Sequence, residues 1–216
     1  MGKDKLRRFA EITTFENVLQ LQEGHALKGK WLTQQFKNNY PLVLELACGK
    51  GEYTLEMARL FPEKNFIGVD YKGNRIWRGA KTALEEDINN VAFLRIQIEQ
   101  ILEYFEPKEV SEIWITFPDP QPQLGREKKR LTSSRFLVYY RGIIQHGGFI
   151  HLKTDNDDLY AYTLEKIAEH HLKLHIATND LYHSEYANEI LSIKTYYEKK
   201  YLKNNKNINY LKFSFD

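Results

Sequence analysis

Two acidic residues and a glycine loop are spaced in a way that suits a nucleoside cofactor. Glu45 lies in an apolar run that leads into the loop from Ala47 to Gly51 (ACGKG), which has Gly49 at its centre, and Asp70 ends the next apolar run. Glycines allow a tight turn, and an acid at the end of the second apolar run, where Asp70 stands, can accept hydrogen bonds from two ribose hydroxyls. A dinucleotide enzyme would normally show GxGxxG, and a plain structural turn would also explain the glycines. The carboxylate of Glu45 favours S-adenosylmethionine, which carries an amino group and a ribose diol.

A third acid, Asp119, stands between Pro118 and Pro120, directly after the apolar run at residues 112–117. Prolines restrict the backbone angle φ on both sides of it, so the carboxylate is predicted to be held rigidly. A basic loop, REKKR at residues 126–130, follows. A fixed acid beside a cluster of cations suits a polyanionic substrate whose reacting group is a base. A proline turn with a capping aspartate is the alternative that Asp119 alone would favour.

Charge is balanced over the whole chain but uneven along it. The 216 residues carry 31 Lys and Arg against 29 Asp and Glu, a net charge of +2, so bulk charge does not indicate a nucleic-acid partner. Residues 126–141 and 194–212 are nevertheless both strongly basic, and the second stretch is interleaved with tyrosines. Each stretch alone could be a solvated face, whereas two on one domain favour a phosphate-rich partner.

Composition excludes several classes of protein. Hydrophobic residues make up 42% of the chain, which is enough for a folded core, and a single cysteine, Cys48, excludes an internal disulfide and a multi-cysteine zinc site. No apolar run approaches the roughly 18 residues of a membrane span. The histidines and acids show no metal-ligand spacing, so no metal is expected. The sequence predicts a cytoplasmic protein without a membrane segment, as a monomer or a homodimer.

The chemistry-bearing residues fall at the ends of predicted strands. Short apolar runs alternate with helical stretches, which predicts an α/β fold with a mainly parallel sheet and helices on both faces. After residue 170 the rhythm changes, and the last two strands are expected to be antiparallel. Residues 1–40 are predicted to be a helical lead-in, and residues 41–216 a single domain. The predicted strands are 42–47, 65–70, 91–96, 112–117, 149–153, 172–177 and 210–215, and the predicted helices are 53–60, 74–86, 100–105, 133–145, closed by Gly147-Gly148, and 157–170.

Six short motifs, in this order, resemble the bacterial tRNA (guanine-N7)-methyltransferases of the TrmB type. The resemblance runs from about Pro41 to Asp216. It implies a Rossmann-like class I methyltransferase fold, S-adenosylmethionine as methyl donor, tRNA as partner, and N7 of the variable-loop guanine (tRNA position 46) as acceptor. The motifs are LEL at residues 44–46, GVD at 68–70, FPDP at 117–120, KRLT at 129–132, KTDN at 153–156 and T-x-Y-E at 195–198.

The resemblance also implies roles for individual residues. Glu45 and Asp70 match cofactor-binding acids, and the loop residues Ala47, Gly49 and Gly51 accompany them. Asp119 matches an acid assigned to both the cofactor and catalysis. Gln97 stands where the family more often has an acid, and its carbonyl could accept a hydrogen bond from the adenine amino group. The positions implied to contact the tRNA substrate are Gln123, Lys128, Lys129, Arg130, Asp155, Thr195, Tyr196, Tyr197 and Glu198.

Departures from the family pattern leave alternatives open. Gln121 and Gln123 replace the Trp and the first Lys of a common DPWPKKR motif, which removes a stacking ring and a cation. Ala47 stands in place of the first loop glycine. A methyltransferase of the same fold acting on another base or a small molecule, and a tRNA-binding relative without catalysis, are the competing hypotheses. Asp155 could equally be the N-terminal cap of the following helix.

Overall fold

A computed structural model describes residues 3–215 of the chain; residues 1, 2 and 216, which the predicted boundaries 1–40 and 41–216 include, lie outside the described residues. The β-strands are β1 (Val18–Gln20), β2 (Leu42–Leu46), β3 (Asn65–Asp70), β4 (Val91–Arg95), β5 (Val110–Thr116), β6 (Ile144–Thr154), β7 (Lys173–Thr178) and β8 (Asn209–Ser214). The α-helices are α1 (Lys3–Glu11), α2 (Leu21–Ala26), α3 (Glu52–Leu60), α4 (Gly73–Glu85), α5 (Ser134–Ile143), α6 (Asp157–Glu169) and α7 (Tyr196–Lys203). A π-helical segment covers Trp31–Phe36, and the predicted helix at 100–105 is a 3-10 segment, Ile98–Glu103.

All eight strands form one sheet, in the order β1-β4-β3-β2-β5-β6-β8-β7. The first six strands in this order run parallel, whereas β8 is antiparallel to both β6 and β7. The predicted parallel sheet with an antiparallel C-terminal end is therefore confirmed. The chain moves outward from β2 through β3 and β4, and then crosses to β5 on the other side of β2. In open α/β sheets this change of direction creates a crevice at the carboxyl ends of the two central strands.

Alternate residues of β2 face opposite sides of the sheet, and this alternation sets the position of Glu45. Leu42, Leu44 and Leu46 pack into the apolar cluster that includes α5 and α6. Val43 packs into the second cluster, with α3 and α4. Because side chains alternate along a strand, Glu45 lies on the same face as Val43 and points toward α3. Each large apolar side chain that is buried on these two faces contributes about 1.5–3 kcal/mol of favourable transfer free energy.

The sequence predicted a helical N-terminal segment, but the described part of this segment is not helical throughout. Three of its residues form β1, which pairs with β4 in the register Val18↔Phe93 and extends the sheet by one strand. The Phe93 N–H donates to the Asn17 carbonyl at 2.7 Å, and the Asn17 side chain donates to the Ala80 carbonyl at 3.0 Å. This segment is therefore part of the sheet, and its strand was missed because three residues carry no readable period.

The predicted helix end at Gly147-Gly148 is also wrong. Helix α5 ends at Ile143, and β6 begins at once with Ile144, which pairs with Val110. The register then shifts, so that four residues of β6 bulge out opposite Ser111 of β5. A Cβ on Gly148 would lie 2.7 Å from the Ser111 carbonyl oxygen, and Gly147 has φ +74°. These two glycines permit a β-bulge, where the sequence suggested a helix stop. Among the described residues, no helix combines the length and the apolar character that a membrane span requires.

Candidate functional site

The crevice predicted by the strand order is a cleft at the carboxyl ends of β2 and β5. It consists of two adjoining cavities, of about 420 Å³ and about 110 Å³, which share Ala47, Arg75 and Phe117 as lining residues. Ala47 follows β2 directly and Phe117 follows β5 directly. The cleft therefore lies where parallel strands present their loops to a ligand.

Glu45 lines the smaller cavity and is almost completely buried, with 2% of its surface exposed. Its carboxylate accepts the backbone N–H of Thr54 at 2.8 Å and the hydroxyls of Thr54 and Thr116. Burial raises the pKa of Glu45 from 4.5 to about 7, although these hydrogen bonds oppose the rise. The carboxylate has no ion-pair partner among residues 3–215, so a cationic group in the cavity would complete its surroundings.

Asp70 connects the glycine loop to the end of β3. One of its oxygens accepts the N–H of Gly49 at 3.0 Å, and the other accepts the N–H of Lys72 at 2.8 Å. The residue is 5% exposed and lines the larger cavity. Each carboxylate oxygen has a second lone pair, so Asp70 can hold the loop and still accept a hydrogen bond from a ligand. Gln97, just past β4, is exposed and lines the same cavity, so the structure brings these two residues together.

The glycine loop has three residues with positive φ: Ala47 (+58°), Gly49 (+59°) and Gly51 (+71°). Ala47 and Gly49 line the smaller cavity. Gly51 lines neither cavity, because it is buried beneath Phe93, where a Cβ would lie 2.5 Å from the ring. The structure thus brings Ala47 and Gly49 to the cleft, whereas Gly51 packs against Phe93, and its implied contact with the cofactor stays a prediction. Ala47 stands where the resemblance implies a glycine, and it adopts a backbone conformation that glycine would adopt without strain.

Asp119 is exposed and lines the larger cavity. It lies just after β5, the strand next to β2 in the sheet. One of its carboxylate oxygens accepts the N–H of Gln121 at 3.1 Å. Phe117 and Gln121, on either side, have φ values of +48° and +46°. Such values cost of order 1–3 kcal/mol in a residue other than glycine and concentrate at functional sites. Pro118, Asp119 and Gln121 all line the larger cavity, so this segment faces the cleft, and the rigid hold that the two prolines predict for Asp119 stays a prediction.

The basic loop is only partly directed into the cleft. Lys129 lines the larger cavity, whereas Lys128, Arg130 and Gln123 line neither cavity. The Arg130 Nε donates to the carbonyl of Gln121 at 3.2 Å, and its guanidinium lies 4.4 Å from the centre of the Tyr162 ring. Arg130 therefore braces the segment that carries Asp119 as well as presenting a charge.

The T-x-Y-E motif splits into a ligand-facing part and a buried part. Thr195, Tyr196 and Tyr197 line the smaller cavity, and the two tyrosines are 61% and 52% exposed. Thr195 is also the N-terminal cap of α7, since its hydroxyl accepts the N–H of Glu198 at 3.3 Å. Glu198 has no exposed surface. The structure therefore does not bring Glu198 to the cleft, because its carboxylate is enclosed in the core, and its implied contact with substrate stays a prediction.

Glu198 instead pairs with Lys153, a fully buried lysine on β6. The Lys153 Nζ lies 2.9 Å from a Glu198 carboxylate oxygen and donates to the carbonyls of Leu191 and Ile193 at 2.8 and 2.9 Å. Tyr182 donates to the same carboxylate. Desolvation lowers the pKa of Lys153, against the opposing effect of Glu198. This network anchors the chain just before Thr195, so it positions the ligand-facing part of the motif.

Asp155 is not brought to the cleft. It lines a separate cavity, and one of its oxygens lies 3.4 Å from the Lys206 Nζ. It is not the cap of α6 either, because the cap is Asn156, whose side chain accepts the N–H of Leu159 at 2.7 Å. Its implied contact with substrate stays a prediction. Among the described residues, no group of three or more His, Cys, Asp or Glu side chains could hold a metal ion.

Three lining or supporting residues were missed by the sequence argument. Arg75 lines both cavities and stands in the first turn of α4, five residues after Asp70. Its position after a strand-end acid could have indicated it, since helices that follow parallel strands begin at the same edge. Tyr71 directly follows Asp70 at the end of β3 and lines the larger cavity. Lys153, a charged residue within an otherwise apolar strand, was a visible signal of a buried ion pair.

Comparison with known proteins agrees with this geometry. A family profile described as "Putative methyltransferase" matches residues 39–211. A protein of Christiangramia forsetii named tRNA (guanine-N(7)-)-methyltransferase is 51% identical, covering 98% of this chain and 98% of its own length. A protein of the same name from Bacteroides thetaiotaomicron is 47% identical, covering 99% of this chain and 86% of its own.

Solved structures show the same fold at low sequence identity. The 16S rRNA methyltransferase KamB superimposes with a TM-score of 0.63 at 16% identity, over 85% of this chain and 92% of its own. An antibiotic-related methyltransferase superimposes with a TM-score of 0.61 at 14% identity, over 85% of this chain and 91% of its own. The predicted class I methyltransferase fold is confirmed. With half of its residues identical to those of a full-length relative, the chain belongs to the tRNA (guanine-N(7)-)-methyltransferase family.

Proposed function

We propose that this protein transfers a methyl group from S-adenosylmethionine to N7 of the guanine at position 46, in the variable loop of tRNA. The observation that carries the proposal is the cleft itself. Its two adjoining cavities are lined by the buried acids Glu45 and Asp70 and the exposed acid Asp119, at the switch point of a methyltransferase fold. The names of the relatives supply the base and the atom.

The residues of the cleft fit S-adenosylmethionine. Glu45 is buried, without a cationic partner in the described part of the chain, and borders the smaller cavity, where the amino group of the cofactor would supply the missing charge. Asp70 would accept hydrogen bonds from the ribose hydroxyls, and Gln97 would accept one from the adenine amino group. Bound there, S-adenosylmethionine supplies a methyl group on a positively charged sulfur, which is electrophilic without further activation.

The acceptor chemistry suits an exposed carboxylate. N7 of guanine has a lone pair in the plane of the base and loses no proton before it attacks, so the site needs no strong general base. Alignment of the base with the methyl group is then the main contribution of the protein. The product guanine is cationic, and Asp119 can both orient the base and stabilise the developing positive charge. Its exposure leaves it accessible to a base that enters from an RNA.

The substrate side is proposed to be a set of phosphate and base contacts. Lys128, Lys129 and Arg130 would hold tRNA phosphates, which position the RNA without reading its sequence. Tyr196 and Tyr197 offer exposed rings beside the smaller cavity, and rings of this kind stack on bases. Gln123 and Asp155 are proposed as outer contacts, since neither borders the cleft.

The direct test is to incubate the protein with an unmodified tRNA transcript and methyl-labelled cofactor and then to map the label. We expect N7-methylguanosine at position 46 and loss of the label when this guanine is replaced by adenine. Label at another nucleotide would instead support a same-fold methyltransferase with a different target. Absence of cofactor binding in calorimetry, together with retained tRNA binding, would support the non-catalytic relative.

A further inference from the structure

A third cavity continues from the cleft along the outer surface of α3 and α4. It measures about 350 Å³ and shares Lys50, Glu52 and Tyr196 with the smaller cavity of the cleft. We call it the basic groove. Its lining includes five cations and two acids, namely Lys50, Arg59, Arg78, Lys194, Lys199, Glu52 and Glu56.

Most of the positive charge in the basic groove is not neutralised. Lys50, Arg78, Lys194 and Lys199 form no ion pair with any residue between 3 and 215, and all four are exposed. Arg59 is the exception, since it contacts both Glu56 and Glu86 at 2.5 Å.

The two acids of the groove are already occupied. Glu52 accepts the N–H of Tyr196 at 2.7 Å, at the start of α7, and Glu56 is paired with Arg59. Neither forms an ion pair with any of the four free cations, and the five cations and two acids of the groove leave it with a net charge of +3. These cations come from three separate parts of the chain, so folding gathers charge that is scattered in the sequence.

The groove is joined to the cleft by an exposed aromatic side chain. Tyr196 lines both, its ring meets that of Tyr197 edge to face at 5.5 Å, and the Lys50 Nζ lies 5.5 Å from its centre. A cation and an aromatic ring side by side are the usual elements of a surface that binds single-stranded nucleic acid. Lys129, in the basic loop, borders the other end of the cleft.

We propose that the basic groove binds phosphates of the RNA strand next to the nucleotide whose base enters the cleft. The inference rests on the proposed function and adds a second phosphate-binding surface to it. The basic loop would hold the strand at one end of the cleft and the groove would hold it at the other. Because the four cations are spread along an open surface, they suit a repeating polyanion better than a single small anion.

The salt dependence of tRNA binding tests this proposal. The test variant is Lys194→Ala/Lys199→Ala, with Arg78→Ala added in a second protein; none of these three residues lines the cleft. The matched control is Lys30→Ala/Lys173→Ala, which removes two exposed, unpaired cations of the described chain. Lys173 begins β7 and pairs in register with Ser214, the last residue of the antiparallel strand β8. Ser214 in turn pairs with Phe149 in the first half of β6, so Lys173 lies at the edge of the sheet opposite the cleft. Lys30 precedes Trp31, whose N–H donates to Glu109 ahead of β5, at that same edge.

We expect the slope of log affinity against log salt to become less steep by about 1.5 units in the double variant and about 2 units in the triple variant. The control should keep the wild-type slope, and cofactor affinity should be unchanged in all of them. Equal salt slopes in the test and control variants would refute phosphate binding by the basic groove, even if the wild type methylates N7. A reduced slope without any methyl transfer by the wild type would support the groove and refute the proposed function. If the wild type does not bind tRNA, both proposals fail.

Discussion

The two walls of the cleft are built in opposite ways. The cofactor wall consists of β2, the glycine loop and the end of β3, and its acids Glu45 and Asp70 are 2% and 5% exposed. The acceptor wall consists of residues 117–130 and the start of α7, and its proposed contacts, Asp119, Tyr196 and Tyr197, are exposed. The first wall is a continuation of the core, and its acids are buried in the protein whether or not RNA is bound. The second is an open surface, which gains its low-dielectric surroundings only when RNA covers it.

The residues of the two walls are also held in place by different kinds of contact. Backbone N–H groups hold the acids of the cofactor wall, since Gly49 donates to Asp70 and Thr54 donates to Glu45. Both acids belong to buried strands. The acceptor wall depends instead on a few side-chain contacts: the Arg130 hydrogen bond to Gln121 within the same loop, and the long-range Lys153–Glu198 pair near Thr195. Changes in the first wall should therefore affect cofactor affinity, and changes in the second should affect the handling of tRNA.

The largest effect is expected where the acceptor wall is anchored in the core. Lys153→Met would leave the Glu198 carboxylate buried without its partner, which costs about 3–5 kcal/mol of unfolding free energy. Denaturant unfolding measures this loss. The double variant Lys153→Met/Glu198→Leu should recover much of it, because apolar residues replace a buried ion pair at little cost. A single variant within about 1 kcal/mol of the wild type would show that the anchor is dispensable.

Glu45→Gln separates stability from function in the cofactor wall. The pKa of Glu45 is about 7 in the folded protein and 4.5 ordinarily, so the folded state holds the extra proton and the wild type loses stability as pH rises between these values. The variant lacks this loss. Its stability relative to the wild type should therefore improve by about 3 kcal/mol between about pH 4 and pH 8, in denaturant titrations at both pH values.

The same variant should bind S-adenosylmethionine more weakly, because it has no charge to offer the amino group. Cofactor affinity equal to that of the wild type at about pH 8 would remove Glu45 from the cofactor site. It would leave the residue as a buried polar group that only hydrogen-bonds Thr54 and Thr116.

Asp119→Asn should fold normally and slow methyl transfer by about a hundredfold, comparable to the loss of one electrostatic contact in other active sites. Since N7 gives up no proton, the pH optimum should not move. Single-turnover rates with saturating tRNA and cofactor measure the effect. Asp87→Asn, a change at an exposed acid in the loop after α4, is the matched control. A rate for Asp119→Asn within about twofold of the control would make Asp119 a turn residue only.

Asp70→Ala should weaken cofactor binding by about 1–3 kcal/mol, because it leaves ribose hydroxyls and the N–H groups of Gly49 and Lys72 without their acceptor. Asp70→Asn should lie between this variant and the wild type, since its amide oxygen keeps one acceptor. Calorimetry measures both. Unchanged affinity would refute the ribose assignment, and an effect confined to the rate would contradict the division of labour between the two walls.

The smallest effect is expected from Lys128→Glu/Lys129→Glu, with Arg130 kept because it braces Gln121. The Michaelis constant for tRNA should rise, and each lost phosphate contact should make the salt slope less steep by about 0.7–0.9 units. Lys30→Ala/Lys173→Ala again serves as the control. An unaltered Michaelis constant and slope would make the basic loop a solvated face.

The sequence alone was sufficient to predict the parallel strands β2 to β6 and most of the cleft, although not the parallel edge strand β1. Strands of five to seven apolar residues alternating with helices have few ways to pack, and the carboxyl ends of parallel strands must meet at one edge. Glu45, Asp70, Gln97 and Asp119 therefore could be placed together from their positions at or near strand ends, and the structure brings them around one cleft.

Only the tertiary structure decided the features that depend on contacts between distant parts of the chain. Strand β1 exists because β4 offers it an edge, and the glycines at 147 and 148 serve a bulge because β5 lies beside them. The resemblance implies that Glu198 contacts substrate, yet Glu198 is buried in an ion pair with Lys153, which lies 45 residues earlier in the chain. Local sequence patterns specify which residues can form a helix or a strand. Burial and ion pairing depend on which elements pack against each other, and the periodicity of a sequence does not specify this packing.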